Sequence, residues 1–405
     1  MPATSRYDAV VIGAGIAGSA LAIALARGGL EVALVEARPL QRIDLPVELE
    51  LGAFDQRVSA LTPASVRLLE ELGAWPLVEA YRHCAYRHMA VWDAEGTGRI
   101  EFDCAELQAP VLGHIVENRV VVDSLLAVLD ASPAIRQLST SRLQACERQA
   151  DGDMLLSLDS GDQLRTSLLV GADGALSRVR ELCAFSTREW DYGHAAIVAT
   201  IQTERPHADT AWQRFLPSGP LAFLPLPGTR ETHFSSIVWS LDSPLAEPLV
   251  GCSDADFCAE LTRASEACLG QVLAVGPRAS FPLRQRHARD YIQPGVALVG
   301  DAAHTIHPLA GQGINLGLAD VAALAGEVRS AAARGLSPGQ LEVLARYQRQ
   351  RKGENLLMMG AMEGFKRLFE QQSLPLRWLR NAGMRGVGGV APLKRQLMRH
   401  AMGIS

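Results

Sequence analysis

Three short stretches that combine glycine with a carboxylate stand far apart in the sequence. The first, Gly13-Ala-Gly15-Ile-Ala-Gly18, joins an apolar run at residues 7–12 to an Ala- and Leu-rich segment, and Glu36 follows Gly18 by 18 residues. This context is typical of a dinucleotide site. Gly13 permits a tight turn, Gly15 admits a pyrophosphate, Gly18 allows close packing, and the acid accepts hydrogen bonds from a ribose. The alternative is a strand–helix turn with an incidental carboxylate.

The second stretch, at residues 296–317, predicts a buried strand, a Gly300-Asp301 corner, a loop and a helix that opens on Gly311 and Gly313. Asp301 would follow the carboxyl end of the strand, where ligands bind in doubly wound sheets. Bare N–H groups at a helix start suit a negative charge. Our hypothesis is that this charge is the N1–C2=O edge of a flavin, with Asp301 bonded to the ribityl or pyrophosphate portion. An ordinary strand–turn–helix explains this stretch equally well on its own.

The third stretch is Gly171-Ala-Asp173-Gly174, which ends another apolar run and precedes a helix carrying Arg178 and Arg180. Basic residues are unfavourable in the first turns of a helix. A nearby anionic ligand would explain them, and solvated arginines on a helix face are the alternative. One parallel sheet could bring all three stretches to a single extended nucleotide.

Strand-like runs separated by Pro and Gly between residues 190 and 283 predict an antiparallel sheet in a second lobe. The runs are Ala195 to Ile201, Ala211 to Leu216, Leu221 to Leu226 and Phe234 to Trp239. Phe223, Leu224 and Trp239 are candidates to line an apolar pocket over the first lobe. Ordinary core packing is the alternative for each of them.

Several polar residues remain open to two interpretations. Arg57 either neutralises a cofactor phosphate or lies on the surface. Asn118 precedes a predicted helix, and capping of that helix is favoured over a cofactor contact. His304 and His307 are candidates for a polar group beside a bound ring, although a structural role is favoured for both. The residue types and spacings show no catalytic base, nucleophile or metal cluster.

The composition excludes some classes of function. The 405 residues are 48% hydrophobic and 20% charged with a net charge of −5, so no basic field indicates nucleic acid. Seven cysteines without a C-x-x-C pair argue against zinc and indicate a reducing cytosol. Glycines interrupt the apolar run at residues 10–26, which is therefore not a membrane segment.

The tail at residues 371–405 contains no acidic residue. Leu393, Leu397 and Ala401 repeat at helical spacing beside basic residues, which predicts a basic amphipathic helix. Such a helix suits an anionic membrane surface or an acidic partner; docking on the rest of the chain is slightly favoured. We expect a cytoplasmic protein, with peripheral attachment to the inner face of the cytoplasmic membrane as the further hypothesis.

With these motifs the chain resembles the FAD-dependent aromatic-ring hydroxylases, the class A flavoprotein monooxygenases. Within them it is similar to the ubiquinone-biosynthesis hydroxylases. The resemblance rests on stretches that span nearly the whole chain: Arg57-Val-Ser-Ala-Leu, Leu112-Gly-His-Ile-Val-Glu-Asn118, Gly171-Ala-Asp-Gly, Trp212-Gln-Arg-Phe and Gly300-Asp-Ala-Ala-His through Asn315. Leu376-Arg-Trp-Leu-Arg380 and Leu393-Lys-Arg-Gln look like the branch that acts on the demethoxyubiquinone-type intermediate.

The resemblance implies a set of FAD-binding residues: Gly13, Gly15, Gly18, Glu36, Arg57, Asn118, Asp173, Gly300, Asp301, Gly311, Gly313 and Asn315. Pro308, Gly311 and Gly313 belong to the loop that it places at the flavin face. It also implies that NADH or NADPH reduces the flavin, and that O₂ then yields a flavin C4a-hydroperoxide that oxygenates a polyprenylated phenol or quinol. The family has no separate nicotinamide domain, which agrees with the single G-x-G-x-x-G. A ubiquinone-biosynthesis complex is the implied partner.

The expected fold class is α/β, with a Rossmann-like FAD-binding domain interleaved with a mixed or antiparallel β-sheet substrate domain. The FAD-binding domain takes residues 1–75, 110–185 and 285–330. The substrate domain takes residues 76–109 and 186–284, and a helical C-terminal region with a basic tail takes residues 331–405. Alternative functions are a flavin hydroxylase of a soluble aromatic compound and a non-catalytic FAD-binding member of a biosynthetic complex. A flavin halogenase is disfavoured because its W-x-W-x-I-P pattern is absent around Trp239.

Overall fold

The protein is described by a computed structural model that covers residues 4–305, 313–370, 381, 386 and 391–403. Its strands are β1 Thr4–Ile12, β2 Val32–Val35, β3 Val58–Leu61, β4 Cys84–Tyr86, β5 His88–Asp93, β6 Arg99–Asp103, β7 Gly113–Glu117, β8 Ile135–Leu138, β9 Leu143–Arg148, β10 Met154–Leu158, β11 Gln163–Gly171, β12 Thr187–Thr203, β13 Thr210–Leu216, β14 Gly219–Pro225, β15 His233–Asp242, β16 Val272–Val275, β17 Ala279–Ala288, β18 Ile292–Gln293, β19 Val296–Leu298 and β20 His304–Thr305.

The helices of these described residues lie between the strands and after them. They are α1 Ile16–Arg27, α2 Pro63–Glu71, α3 Trp75–Tyr81, α4 Asn118–Asp130, α5 Arg178–Leu182, α6 Ser243–Gly251, α7 Asp254–Ala264, α8 Gly313–Ala332, α9 Leu341–Glu370 and α10 Ala391–Ala401. Thr62 caps α2, because its side chain accepts a hydrogen bond from the Ser65 amide.

The first sheet runs in the order β18-β19-β11-β1-β2-β8, and β10 and β9 extend it beside β11. Strands β19, β11, β1, β2 and β8 are parallel to one another. Ile12, at the end of β1, pairs with Gly171 of β11 and Val35 of β2, and Gly171 pairs with Leu298 of β19. The carboxyl ends of these four strands are therefore level, which puts the three glycine stretches at one edge of the sheet.

The apolar runs become parallel strands because both faces of this sheet are covered. All residues from Val32 to Val35 are fully buried, as are Ala9, Val10 and Val11. Helices α1, α4 and α8 supply the covering side chains, and Leu21, Leu125 and Leu324 belong to the same core. The predicted Rossmann-like unit is confirmed.

The second sheet runs in the order β20-β17-β12-β15-β14-β13-β5-β6, with β16 beside β12. Its neighbours are antiparallel except for β13 and β5, which are parallel. The four strands predicted between residues 195 and 239 are confirmed as parts of β12, β13, β14 and β15. Strand β17 continues to Ala288, so this sheet extends past the boundary expected at residue 284.

A small antiparallel sheet, β3-β7-β4, forms a third unit. One apolar cluster joins it to the second sheet and contains Phe54, Val58, Ile115, Leu224 and Phe234. We call this group the inter-sheet cluster. It fixes the position of Arg57, which immediately precedes β3, relative to the second sheet.

Helix α9 is one continuous helix of 30 residues. The residues around its middle, Leu356 to Met359, are good helix formers and include no proline. Helix α9 contacts both β18 of the first sheet and β14 of the second. No helix in the described part of the chain is long and apolar enough to span a membrane.

Candidate cofactor and substrate site

The first glycine stretch forms a cradle at the end of β1. Gly13 has φ of +100°, and a Cβ there would lie 2.5 Å from the carbonyl oxygen of Ala172. A Cβ on Gly18 would overlap the Gly13 carbonyl oxygen, so α1 packs on the turn only because this residue is glycine. A Cβ on Gly15 would meet nothing within 4 Å. The chain leaves open space at the one position where the fingerprint places a pyrophosphate.

Glu36 holds the cradle in shape at the end of β2. Its Oε2 accepts a hydrogen bond from the amide of Ala14 at 2.8 Å, and its Oε1 accepts one from the amide of Arg38 at 3.0 Å. Each carboxylate oxygen retains a second lone pair. The side chain therefore organises the glycine turn and is still able to accept hydrogen bonds from ribose hydroxyls.

Asp173 lies beside that cradle. Its Oδ2 accepts hydrogen bonds from the amides of Arg178 at 2.6 Å and Val179 at 3.1 Å, and so stabilises the start of α5. Its Oδ1 is buried and has no hydrogen-bond partner among the described residues. A buried, unpartnered carboxylate oxygen is costly, and a hydroxyl or amide donor from a bound nucleotide would satisfy it.

The two arginines that follow Asp173 have different environments, and only Arg178 is solvated as one interpretation expected. Arg178 is exposed and pairs with Glu181 at 2.8 Å. Arg180 is buried, and its guanidinium donates to the carbonyl oxygens of Ala302 at 2.8 Å and Ala175 at 2.6 Å. It thus joins the Gly171–Gly174 stretch to the Gly300–Asp301 corner, and is neither solvated nor needed as an anion contact.

Gly300 lies where the three glycine stretches, which we call the corners, come together. It has φ of +58°, and a Cβ on it would lie 3.4 Å from the Cβ of Ala17 in α1. A Cβ on Gly317 of α8 would lie 3.4 Å from the Cα of Gly300. Helices α1 and α8 therefore approach the corner as closely as small residues permit, and all three corners surround one region.

Asp301 is the accessible acid of this region. Its side chain is exposed to solvent, yet protein surrounds it closely enough that burial raises its pKa, while His304 and Arg57 oppose that shift. A carboxylate that is both accessible and poorly hydrated lies in a cleft. Arg57 is exposed, and its guanidinium has no hydrogen-bond or ion-pair partner among the described residues. The cleft thus contains the carboxylate of Asp301 and the guanidinium of Arg57, neither of which has a partner among the described residues.

Two asparagines were expected near the cofactor. Asn118 is the first residue of α4 and its side chain does not cap the helix, so the capping prediction is wrong. Its Oδ1 accepts a hydrogen bond from Ser59 Oγ at 2.7 Å, which leaves Nδ2 without a partner in the described chain. Asn315 has three hydrogen bonds: Nδ2 donates to Ala60 O at 2.7 Å, and Oδ1 accepts from the Thr62 amide and Ser65 Oγ. Its side chain therefore anchors α8 to β3.

Gly313 is the first described residue of α8. Pro308, Gly311 and His307 lie outside the described residues.

A match to a family model identifies the family of the chain. Residues 6–354 match the family described as FAD binding domain. The chain belongs to this FAD-binding family. It is 39% identical over 399 residues to the 3-demethoxyubiquinol 3-hydroxylase of Escherichia coli, with 98% of each chain covered. It is also 39% identical over 396 residues to the ubiquinone hydroxylase UbiL of Rhodospirillum rubrum, covering 98% of this chain and 89% of that one.

More distant relatives share the family. The human ubiquinone biosynthesis monooxygenase COQ6 is 35% identical over 441 residues, covering 98% of this chain and 92% of that one. Among solved structures, PqsL of Pseudomonas aeruginosa, a probable FAD-dependent monooxygenase, has a TM-score of 0.76 at 22% identity, covering 94% of this chain and 100% of that one. The FAD-dependent monooxygenase identity and the FAD cofactor predicted from the motifs are confirmed.

The structure buries the apolar side chains that the sequence suggested for the substrate pocket. Phe223 and Trp239 are each 2% exposed and lie on the face of the second sheet that packs against α7, where the rings of Trp239 and Phe257 are 6.3 Å apart. Their assignment to a pocket is wrong, because strand register turns them into the core. Leu224 points to the opposite face and joins the inter-sheet cluster, where it is also 2% exposed.

His304 is likewise wrong as a pocket residue. It is 2% exposed, and its Nε2 lies 2.5 Å from Oδ2 of Asp320. Oδ2 of Asp320 also accepts from the Gly300 amide at 3.0 Å, and Oδ1 accepts from Nε of Arg351 at 2.8 Å. Burial disfavours the ionised Asp320, but His304 and Arg351 outweigh it and hold its pKa below the usual value. This ion pair fixes the Gly300–Asp301 corner to α8 and α9.

Sequence reasoning missed two buried charge networks. One is that of Asp320, whose signal was an acid with apolar residues on both sides of it in a predicted helix. The other holds the Arg57 loop: Glu117, which is 3% exposed, pairs with Nε of Arg82 at 2.6 Å and with Arg119 at 2.7 Å. Glu117 also accepts from the Asp55 amide at 2.6 Å. The signal available in the sequence was Glu117 at the end of an apolar strand, two residues before Arg119.

Cys84, His207 and Asp209 are the described residues whose potential ligand atoms all lie within 4.8 Å of one another. Both ring nitrogens of His207 already have partners, the carbonyl oxygen of Leu226 and the amide of Asp209. Metal ligation would require these hydrogen bonds to break.

Proposed function

We propose that the chain hydroxylates the aromatic ring of a polyprenylated phenol or quinol intermediate of ubiquinone biosynthesis, with NADH or NADPH and O₂ as co-substrates. The observation that carries this proposal is the likeness, over 98% of both chains, to a relative named 3-demethoxyubiquinol 3-hydroxylase. Two further relatives, at 39% and 35% identity, also have ubiquinone in their names.

The converged corners support the assignment of the FAD-binding residues. The space at Gly15 would take the pyrophosphate, and Glu36 would bind the ribose of the adenosine half. The unpartnered Oδ1 of Asp173 and the accessible Asp301 would accept hydrogen bonds from nucleotide and ribityl hydroxyls. Arg57 would offset the negative charge of the cofactor. These residues fit FAD because each offers an acceptor, a cation or space that the protein itself leaves unused.

Bound FAD would supply the redox chemistry, with NADH or NADPH as the reductant and O₂ as the source of the oxygen atom that enters the ring. The protein would bind and orient FAD and the substrate, and it would exclude water from them. The Glu117 network holds Arg57, and Asn315 holds α8 against β3. The inter-sheet cluster closes the region behind them with apolar side chains. Excluding water would limit the loss of activated oxygen as hydrogen peroxide.

The division into domains belongs to the same proposal. Residues 1–75, 110–185 and 285–330 would hold FAD, residues 76–109 and 186–284 would form the substrate domain, and residues 331–405 would form the helical region with the basic tail. The corner residues all lie in the first set. Strands β17 and β20 of the second sheet extend into it, so the two units share an extended boundary.

The test is a turnover assay with FAD-loaded protein, NADH or NADPH, and a short-tailed 3-demethoxyubiquinol. We expect nicotinamide oxidation to depend on the quinol, and one oxygen atom from isotopically labelled O₂ to appear in the product. Product from a soluble phenol but not from the prenylated quinol would favour the soluble-aromatic hydroxylase. FAD binding without turnover of either substrate would favour the non-catalytic role.

Peripheral membrane contact would use the exposed basic side of α10. Met398 and Met402 of the tail are buried against Cys104 and Leu112, and Nζ of Lys394 lies 2.5 Å from Glu106. The helix is therefore docked on the protein, while Arg395 and Arg399 remain exposed. Replacing both arginines with glutamate should reduce sedimentation with vesicles that contain anionic lipid, without changing binding to neutral vesicles. Equal sedimentation of the variant and the parent protein with anionic vesicles would exclude this contact, as would parallel changes with both kinds of vesicle.

A further inference from the structure

Tyr86, the last residue of β4, has an unusual environment. Its side chain is only partly buried, and it packs on both the inter-sheet cluster and the cluster around Cys104 and Leu112. Its hydroxyl has no hydrogen-bond partner among the described residues. Buried tyrosine hydroxyls normally have a partner. A hydroxyl without a partner, set between two apolar clusters, is available to donate a hydrogen bond to a bound ligand.

The electrostatic surroundings of Tyr86 agree with that geometry. Loss of hydration raises the pKa of its phenol to about 12, and no charged group contributes to the shift. The phenol is therefore neutral at physiological pH and always carries its proton. Pockets for small apolar ligands have this character, with few polar groups set in apolar walls.

Tyr86 lies next to the end of β3. A Cβ on Gly113, its cross-strand partner, would be 2.9 Å from the Tyr86 hydroxyl and 2.5 Å from the carbonyl oxygen of Leu61. The hydroxyl is thus within about 6 Å of that carbonyl. Thr62 follows Leu61, and its amide donates to Asn315 in the first turn of α8. Glycine at position 113 leaves room for the phenol beside the region that the resemblance places at the flavin ring.

We infer that Tyr86 is a substrate-binding residue whose hydroxyl donates a hydrogen bond to a ring oxygen of the phenol or quinol. This inference rests on the proposed function. A donor to the ring oxygen orients the ring and favours the electron-rich form that is ready for hydroxylation. The apolar neighbours of Tyr86 contact the rest of the ring and the start of the hydrocarbon tail. Tyr86 neither gains nor loses a proton in this role.

The experiment compares Tyr86→Phe with Tyr7→Phe, both loaded with FAD. Tyr7 lies in β1, five residues before its carboxyl end, and is therefore roughly 17 Å from the corners. Using short-tailed 3-demethoxyubiquinol, we expect Tyr86→Phe to raise KM about twofold to tenfold, the effect of one lost hydrogen bond. It should also release more hydrogen peroxide per nicotinamide oxidised. FAD content and Tm should match the parent protein, and Tyr7→Phe should change none of these quantities.

Two further measurements make the result decisive. The ratio of KM values for Tyr86→Phe and the parent should be constant from pH 6 to 9, because a phenol with a pKa near 12 does not titrate there. An analogue of the probe that lacks the ring oxygens should bind both proteins equally, as measured by the flavin absorbance change. A pH-dependent ratio, or equal KM values, would overturn the inference while leaving the proposed function intact. A parent protein that neither binds nor hydroxylates the quinol would overturn the proposed function and this inference together.

Discussion

The nucleotide end and the substrate end of the cleft are specified by the sequence in different ways. At the nucleotide end the requirements concern the backbone: Gly13 needs a positive φ, Gly18 needs close packing, and Gly15 needs empty space. At the substrate end they concern which face of a strand each side chain occupies. The first kind of requirement restricts residue type at fixed positions, so it is readable in the sequence. The second depends on the register of a whole sheet.

The largest effect tests the contrast between two glycines of the cradle. Gly18→Ala places a Cβ on the Gly13 carbonyl, a backbone atom that cannot rotate away, so α1 must move from β1. We expect most of the protein to be insoluble or to melt far below the parent. Gly15→Ala meets no protein atom, so the apoprotein should keep its Tm within about 1 °C while FAD affinity falls at least about tenfold. Flavin fluorescence titration and calorimetry measure both quantities. Unchanged FAD affinity in Gly15→Ala would show that the open space is not the nucleotide site.

A second prediction concerns Phe223 of β14. Phe223→Ala should lower the free energy of unfolding by about 3–5 kcal/mol, because the ring is fully packed against α7. Its KM for the quinol should not change. A rise in KM without loss of stability in urea denaturation would restore Phe223 to the substrate pocket. Phe223→Leu, which retains most of the buried volume, provides the matched control.

A third prediction uses acid pH. Burial, with a smaller contribution from His83, lowers the pKa of His114 to about 4 from an ordinary value of 6.5. The unfolded chain therefore binds a proton between these two pH values while the folded chain does not, so stability falls as pH decreases from 6.5 to 4. The loss from this residue is at most about 3 kcal/mol. His114→Phe, which preserves the ring contact with Trp75, should flatten the pH dependence of urea midpoints by this amount. A variant that shows the parental slope would mean that His114 is protonated in the folded protein.

The smallest effect tests the Gly300–Asp301 corner. Asp301→Ala should leave Tm of the apoprotein nearly unchanged, because the side chain is accessible and its carboxylate has no partner among the described residues. The protein should purify largely without yellow colour, with FAD affinity lower by about 10- to 100-fold, the effect of losing hydrogen bonds to a charged group. Full FAD occupancy would contradict the assigned contact. Asp320→Ala at the same corner serves as a contrast, since breaking its buried pair should reduce stability itself.

The same difference separates the features that can be predicted from the sequence from those that cannot. The parallel strands, the α1 turn and the four central strands of the second sheet followed from apolar periodicity and glycine position. The convergence of the corners was expected from the parallel sheet, but the contacts that fix it were not. Arg180 donates to two carbonyl oxygens from different corners, and Asp320 receives four donors from residues up to 35 positions away. Such partners are visible only after folding.

The errors have the same origin. Phe223 and Trp239 were chosen because they are large and apolar, which is equally true of core and pocket residues. Tyr86 was overlooked because one tyrosine in a short strand carries no pattern. Only its unpartnered hydroxyl and partial burial distinguish it from the tyrosines that have partners, such as Tyr347, which donates to Leu298 O at 2.7 Å.

Helix α9 limits the motions available to this enzyme. With 30 residues it is about 45 Å long. Its first half is fastened to β19 of the first sheet through Tyr347 and to α8 through Arg351, and it also contacts β14 of the second sheet. A hinge between the two sheets would have to bend this helix or break its buried hydrogen bonds. The radius of gyration in solution should therefore be the same with and without FAD, and any opening for the substrate should come from loops.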